Sequence, residues 1–172
     1  MGDLFRLCGR CLQRCPTHFL RSPLVHLATQ YGLAATTLHH RDANASLMMF
    51  FRELMACVKV KDGDTDERHR IVREVMQAHG AELANSLVTD LACLPMDMNE
   101  EITVVLYEMF QFSAQDAQAW LTSAVRGVSS SSLTRQVHVT DEQKEAFVRK
   151  MAGCGSVDDM KAITKDFAHL FR

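Results

Sequence analysis

The sequence predicts an all-α fold, and three observations carry that expectation. Apolar residues recur at steps of three and four through most of the 172 residues, the spacing that gives a helix one buried face. No pair of alternating segments joined by a turn suggests a strand hairpin. Prolines, glycines and small polar residues interrupt the pattern so as to delimit about nine helices.

The first helix is expected from about Asp3 to Cys15, where Pro16 ends it. Ser22-Pro23 reads as an N-cap and a first-turn proline, opening a second helix through about Leu38. Asp42 can cap a third, with a buried stripe of Leu47, Phe50, Phe51, Leu54, Met55 and Val58. Lys59 to Asp66, with Asp62-Gly63-Asp64, is a solvated turn. A fourth helix buries Ile71, Val72, Val75 and Met76 and stops near Gly80, and a fifth buries Leu83, Leu87, Val88 and Leu91 before Pro95. Asn99 opens a sixth, with Ile102, Val105, Leu106, Met109 and Phe110 inward. Ser113 caps a seventh that buries Trp120, Leu121 and Val125 and ends at Gly127. A serine run, Ser129 to Ser132, lies in a loop reaching Val139. Thr140 and Gln143 form a capping box for the eighth helix, and Ser156 caps a last one to Phe171.

The first and third helices start about 40 residues apart and adjacent helices have short links. That is the spacing of HEAT or armadillo pairs, so the architecture expected is an α-solenoid of HEAT-like antiparallel helix pairs, with a compact helical bundle as the competitor. The first helix begins almost at Met1 with no polar capping repeat before it, which suggests a piece of something longer.

Composition narrows function. The chain is 47% hydrophobic and 23% charged, ordinary globular usage. A net charge of −2 argues against a general nucleic-acid binder. The charge is nevertheless uneven: Arg6, Arg10, Arg14 and Arg21 face only Asp3 in residues 1–21, whereas residues 62–101 carry ten acidic and three basic side chains. No apolar run reaches the roughly 20 residues of a membrane span, and arginines interrupt any signal-peptide core. The six cysteines are scattered over the helices, which fits a reduced cytosolic or nuclear setting.

No motif meets the requirements of an active, cofactor or metal site. Cys8-Gly9-Arg10-Cys11, with Cys15 beyond, lacks the second ligand pair a zinc site needs and reads as core filling beside Leu4, Leu7 and Leu12. His40-Arg41-Asp42 resembles a kinase catalytic loop, yet Asn44 follows two residues later, where that loop needs an asparagine at five. Asp42 and Asn44, with Arg41, read instead as a structural motif fixing a turn between repeats. Asn99-Glu100-Glu101 places carboxylates at the positive end of a helix dipole. Arg6, Arg10 and Arg14, at i, i+4 and i+8, form a basic stripe that Arg21 extends, suited to carboxylates or phosphates.

Several segments carry a family resemblance: Leu4-Phe5-Arg6-Leu7-Cys8, Gln13-Arg14-Cys15-Pro16, His40-Arg41-Asp42-Ala43-Asn44 leading into Met49-Phe50-Phe51-Arg52-Glu53-Leu54, and Asp166-Phe167 through Leu170-Phe171-Arg172. In that order they resemble the C-terminal part of the transportin-SR receptors of the importin-β (karyopherin) superfamily, with importin-thirteen-like receptors as the nearest alternative. The resemblance implies that residues 1–172 are a C-terminal HEAT-repeat segment of a longer nuclear import receptor. It implies partners, Ran GTPase in its GTP form and Arg/Ser-rich splicing-factor cargo, and shuttling between cytoplasm and nucleus. No direct nucleic-acid or membrane contact, cofactor or catalysis is expected. A helical-repeat scaffold unrelated to transport is the alternative.

Overall fold

The computed structural model describes residues 2–36, 41–93, 95, 98–128 and 139–171. Among them the fold is all-α, with no strand, and the helices are paired as in helical-repeat proteins. Two compact units divide the chain, Met1–Gly80 and Ala81–Arg172.

The first unit holds α1 (Gly2–Arg14), α2 (Pro16–Arg21), α3 (Leu24–Ala35), α4 (Arg41–Ala56), a 3-10 turn (Cys57–Lys59) and the opening of α5 (Thr65–Cys93). α1 lies along α4, and α3 touches both. Phe5 meets Phe50 at 5.9 Å between ring centroids, and Phe50 meets Phe51 at 5.3 Å. The whole predicted stripe of α4, Leu47 to Val58, is buried. Each such side chain contributes about 1.5–3 kcal/mol on leaving water. Close approach of α3 to α4 depends on Gly32: a Cβ there would lie 2.9 Å from Leu47 and 3.0 Å from Phe51.

The second unit holds the rest of α5, then α6 (Asn99–Phe112), α7 (Ala114–Gly127), α8 (Asp141–Ala152) and α9 (Val157–His169). α6 pairs with α7 and α8 with α9, while α6 also meets α9 and α7 meets α8. Phe147 stacks on Phe167 at 3.9 Å, and the buried hydroxyls of Thr103 and Thr164 join α6 to α9 at 2.7 Å. Three of the five predicted caps form as read: Asp116 N–H donates to Ser113, Gln143 N–H to Thr140 with the reciprocal bond, and Asp159 N–H to Ser156; at Ser22-Pro23 the helix starts one residue later than expected, at Leu24, whose N–H donates to the Ser22 hydroxyl at 3.2 Å. Each such cap is worth about 1 kcal/mol.

Four expectations about the elements need correcting. Pro16 ends α1 but also starts α2, because its fixed φ suits a first helical residue. The fourth and fifth predicted helices are one helix of 29 residues, α5. Glycine costs a helix interior only about 1 kcal/mol, and the stripe Ile71, Val72, Val75, Met76, Leu83, Ala84, Leu87, Val88, Leu91 stays in phase across Gly80, buried throughout. Asp42 is not a cap, since α4 already includes it and its carbonyl accepts the Ser46 hydroxyl at 2.9 Å. Trp120 is only half buried, because it sits at the margin of an α7 face filled by Ala117, Leu121, Ala124 and Val125. His40 and the serine run lie outside the described residues.

Sequence reasoning also passed over Arg68, whose side chain is 1% exposed. Its guanidinium donates to the carbonyls of Cys57 (3.2 Å) and Val60 (2.6 Å), to the Thr17 hydroxyl (3.1 Å) and to Asp62. The expected solvated turn is therefore tied to the core from beneath. The Arg68 hydrogen bond holds the Asp62 carboxyl below the usual carboxylate range.

Asp90 on α5 is 6% exposed, and its Oδ2 has no hydrogen-bond partner among the described residues. Burial pushes its carboxyl up to about 7. The folded state thus holds this proton while the unfolded chain, with an ordinary carboxylate, releases it near pH 4. The group costs stability increasingly from about pH 4 to about pH 7, and fully above that. Asp90→Asn is expected to gain about 2–3 kcal/mol more over wild type at pH 8 than at pH 5 by urea denaturation; a gain independent of pH would contradict this. Gly32→Val is expected to cost about 1–3 kcal/mol by overpacking. Gly155→Ala, where a Cβ meets nothing within 4 Å, serves as the near-neutral control in the same melts.

Candidate binding surface

α1 buries Phe5, Cys8, Gly9 and Leu12 against its neighbours. At about 100° per residue, Arg6, Arg10 and Arg14 fall on the opposite side, and all three are exposed. Arg6 pairs loosely with Asp3 at 3.6 Å. Among the described residues no ion pair engages Arg10 or Arg14.

Arg21 does not join them as a free cation. It makes a two-pronged bond to Glu67 on α5, Nε to Oε1 at 3.0 Å and Nη2 to Oε2 at 2.6 Å. That bond raises the Arg21 guanidinium and lowers the Glu67 carboxyl. The pair spans 46 residues of sequence, so no local spacing reveals it.

The apolar side of α1 also differs from expectation. Cys8 and Leu12 are buried, but Leu4 and Leu7 are 48% and 60% exposed, and Cys15 is exposed beyond the helix end. α3 shows the same layout, with Leu24, Leu27 and Tyr31 turned to solvent. Periodicity identifies an apolar stripe without telling whether anything covers it, which is why this face was missed.

Arg41, Asp42 and Asn44 fall in the opening turns of α4. Asn44 is buried, and among the described residues its Nδ2 lacks a hydrogen-bond partner. Among the described residues no group of three or more His, Cys, Asp or Glu is placed to hold a metal ion. In the same residues no helix is long and apolar enough to cross a membrane. A groove of about 670 Å³ between α7 and α8 mixes Arg126 and Arg149 with Asp141 and Glu145. Its lining, with side chains of both charges beside Val125 and Val148, does not converge on one ligand chemistry.

No family model matches the chain. A stretch of 133 residues is 26% identical to Transportin MOS14 of Arabidopsis thaliana, covering 77% of this chain and 14% of that relative. The match supports a karyopherin relationship. The chain therefore corresponds to a small part of that relative's length.

The cysteines offer a direct check on the α1 geometry. Burial raises the Cys8 thiol, and Cys57, likewise buried, is pushed up to about 12. Iodoacetamide on the native protein is expected to alkylate the exposed Cys15 and Cys93 well before Cys8 and Cys57, as read by peptide mass spectrometry. Equal rates at all four would show that α1 does not bury its Cys8 face.

Proposed function

We propose that this chain is the C-terminal HEAT-repeat segment of a nuclear import receptor of the transportin-SR kind, acting by binding and without catalysis. The observation that carries the reading is the 26% identity to a transportin over most of the chain. The paired-helix architecture supports it, since stacked helical pairs present extended binding surfaces. In this reading the whole receptor binds Arg/Ser-rich splicing-factor cargo in the cytoplasm, releases it on meeting Ran-GTP in the nucleus, and shuttles between the two.

Within the segment, Arg6, Arg10 and Arg14 form the surface offered to acidic or phosphorylated cargo. Their planar forks can each take a carboxylate or phosphate in two-pronged fashion. Arg21 is left out of this surface because Glu67 already occupies its fork. Arg41, Asp42 and Asn44 take a structural part at the start of α4.

Fluorescence anisotropy with a phosphorylated Arg/Ser-repeat peptide tests the cargo role. Saturable, salt-sensitive binding that weakens about tenfold in the Arg10→Ala/Arg14→Ala double variant is expected, the loss of charge-assisted bonds. A folded chain that ignores the peptide, fused or not to upstream repeats, and ignores Ran-GTP as well, would overturn the reading in favour of a scaffold outside transport.

A further inference from the structure

Three cysteines follow one another along the first helix, and the structure grades their exposure. Cys8 is buried, Cys11 half-buried and Cys15 exposed. Cys15 is the single residue between α1 and α2. Its N–H donates to the Cys11 carbonyl at 2.8 Å, and its own carbonyl accepts the Phe19 N–H at 3.2 Å. One helical turn therefore separates Cys11 from Cys15, which sets their Cα atoms roughly 6 Å apart, within the span a disulfide bridges. The backbone leaves the helix at Cys15, with φ −143° and ψ 58°, so its side chain is free of the helical direction. The Cys11 and Cys15 thiols hydrogen-bond to one another.

We infer that Cys11 and Cys15 form a peroxide-sensitive dithiol that closes to a disulfide across the joint between α1 and α2. Cys15, the exposed member, meets the oxidant. Its thiolate attacks hydrogen peroxide: an S–O bond forms, the O–O bond breaks, and the hydroxide released takes up a proton to leave as water. The adjacent Cys11 then gives up its proton and attacks the Cys15 sulfur. The S–S bond forms, the S–O bond breaks and a second water departs. Two thiols thus lose two electrons, and one peroxide becomes two waters. Burial and the neighbouring Cys15 raise the Cys11 thiol, which makes it a poor first target for peroxide and leaves it the resolving partner. Cys8 is 7% exposed among the core residues of α1, and Cys57, Cys93 and Cys154 lie on other elements. Only Cys15 has to be reached from solvent. It sits at a joint between helices, and a repeat stacked over Leu4 and Leu7 would leave such a joint at the edge of the stack. The inference does not depend on a role in transport.

Trypsin separates the three thiols, because Arg6, Arg10, Arg14 and Arg21 place Cys8, Cys11 and Cys15 on different peptides. The full chain is treated with hydrogen peroxide, its remaining thiols are blocked with iodoacetamide, and it is digested without reductant for mass spectrometry. Peptides 11–14 and 15–21 are expected to appear joined, from a chain that runs as a monomer on a non-reducing gel, and to separate with dithiothreitol. Cys11→Ser should abolish the joined pair and leave Cys15 as a sulfenic acid that dimedone traps. Cys15→Ser should abolish it and leave Cys11 reduced. The wild-type map decides the question even if a variant folds poorly. Wild-type Cys15 passing to sulfinic acid beside a free Cys11, a bond from either residue to Cys8, or a bond between chains would overturn the proposal.

Discussion

A guanidinium with 1% of its side chain exposed must find its hydrogen-bond partners inside the protein, because an orphaned buried charge costs several kcal/mol. Arg68 finds them on three separate stretches of chain: Thr17 on α2, the carbonyls of Cys57 and Val60 around the 3-10 turn, and Asp62 in the loop before α5. These bonds hold the start of α2, the handover from α4 to α5, and the acidic turn. One residue earlier on the same helix, Glu67 holds Arg21 from the other end of α2. The first turn of α5 is thus the anchor to which α2 is tied at both ends, and α1 and α3 flank α2 in sequence and in contact.

That anchoring bears on function through what it leaves outward. α1 and α3 press Phe5, Leu12, Val25 and Leu33 into the layer against α4. Leu4, Leu7, Leu24, Leu27 and Tyr31 are exposed, as are Arg10 and Arg14. Exposed apolar and basic side chains of this kind suit protein recognition rather than chemistry.

Much of the fold was legible because its determinants are local. The capping box at Thr140 and Gln143, the caps at Ser113 and Ser156, and the stripe of α4 each depend on residues within a turn or two of one another. Among the described residues the number of helices came out as expected, for partly compensating reasons. Pro16 started a helix that was read as a break, and Gly80 failed to break a helix whose stripe is in phase on both sides. Of the surface, Arg6, Arg10 and Arg14 were legible as a stripe, since helical spacing alone aligns them. Arg21 was not legible as a paired cation, because Glu67 lies 46 residues away in sequence; Arg68 was not, because its partners are two backbone carbonyls, a loop carboxylate and a hydroxyl 51 residues away, which no spacing marks. The exposed line of α3 was hidden for a different reason: an uncovered leucine and a buried one have the same letter and the same period.

Hydrogen–deuterium exchange on the wild type and on Arg68→Met tests the central claim most directly. Methionine keeps the length of the apolar stem and removes every donor. The account predicts that amides of residues 57–64 and of α2 lose protection in the variant, with α8 and α9 serving as the internal reference. Unchanged protection across α2 and the 57–64 segment would contradict it, and would mean that packing alone, without the buried guanidinium, holds the layer that presents the binding face.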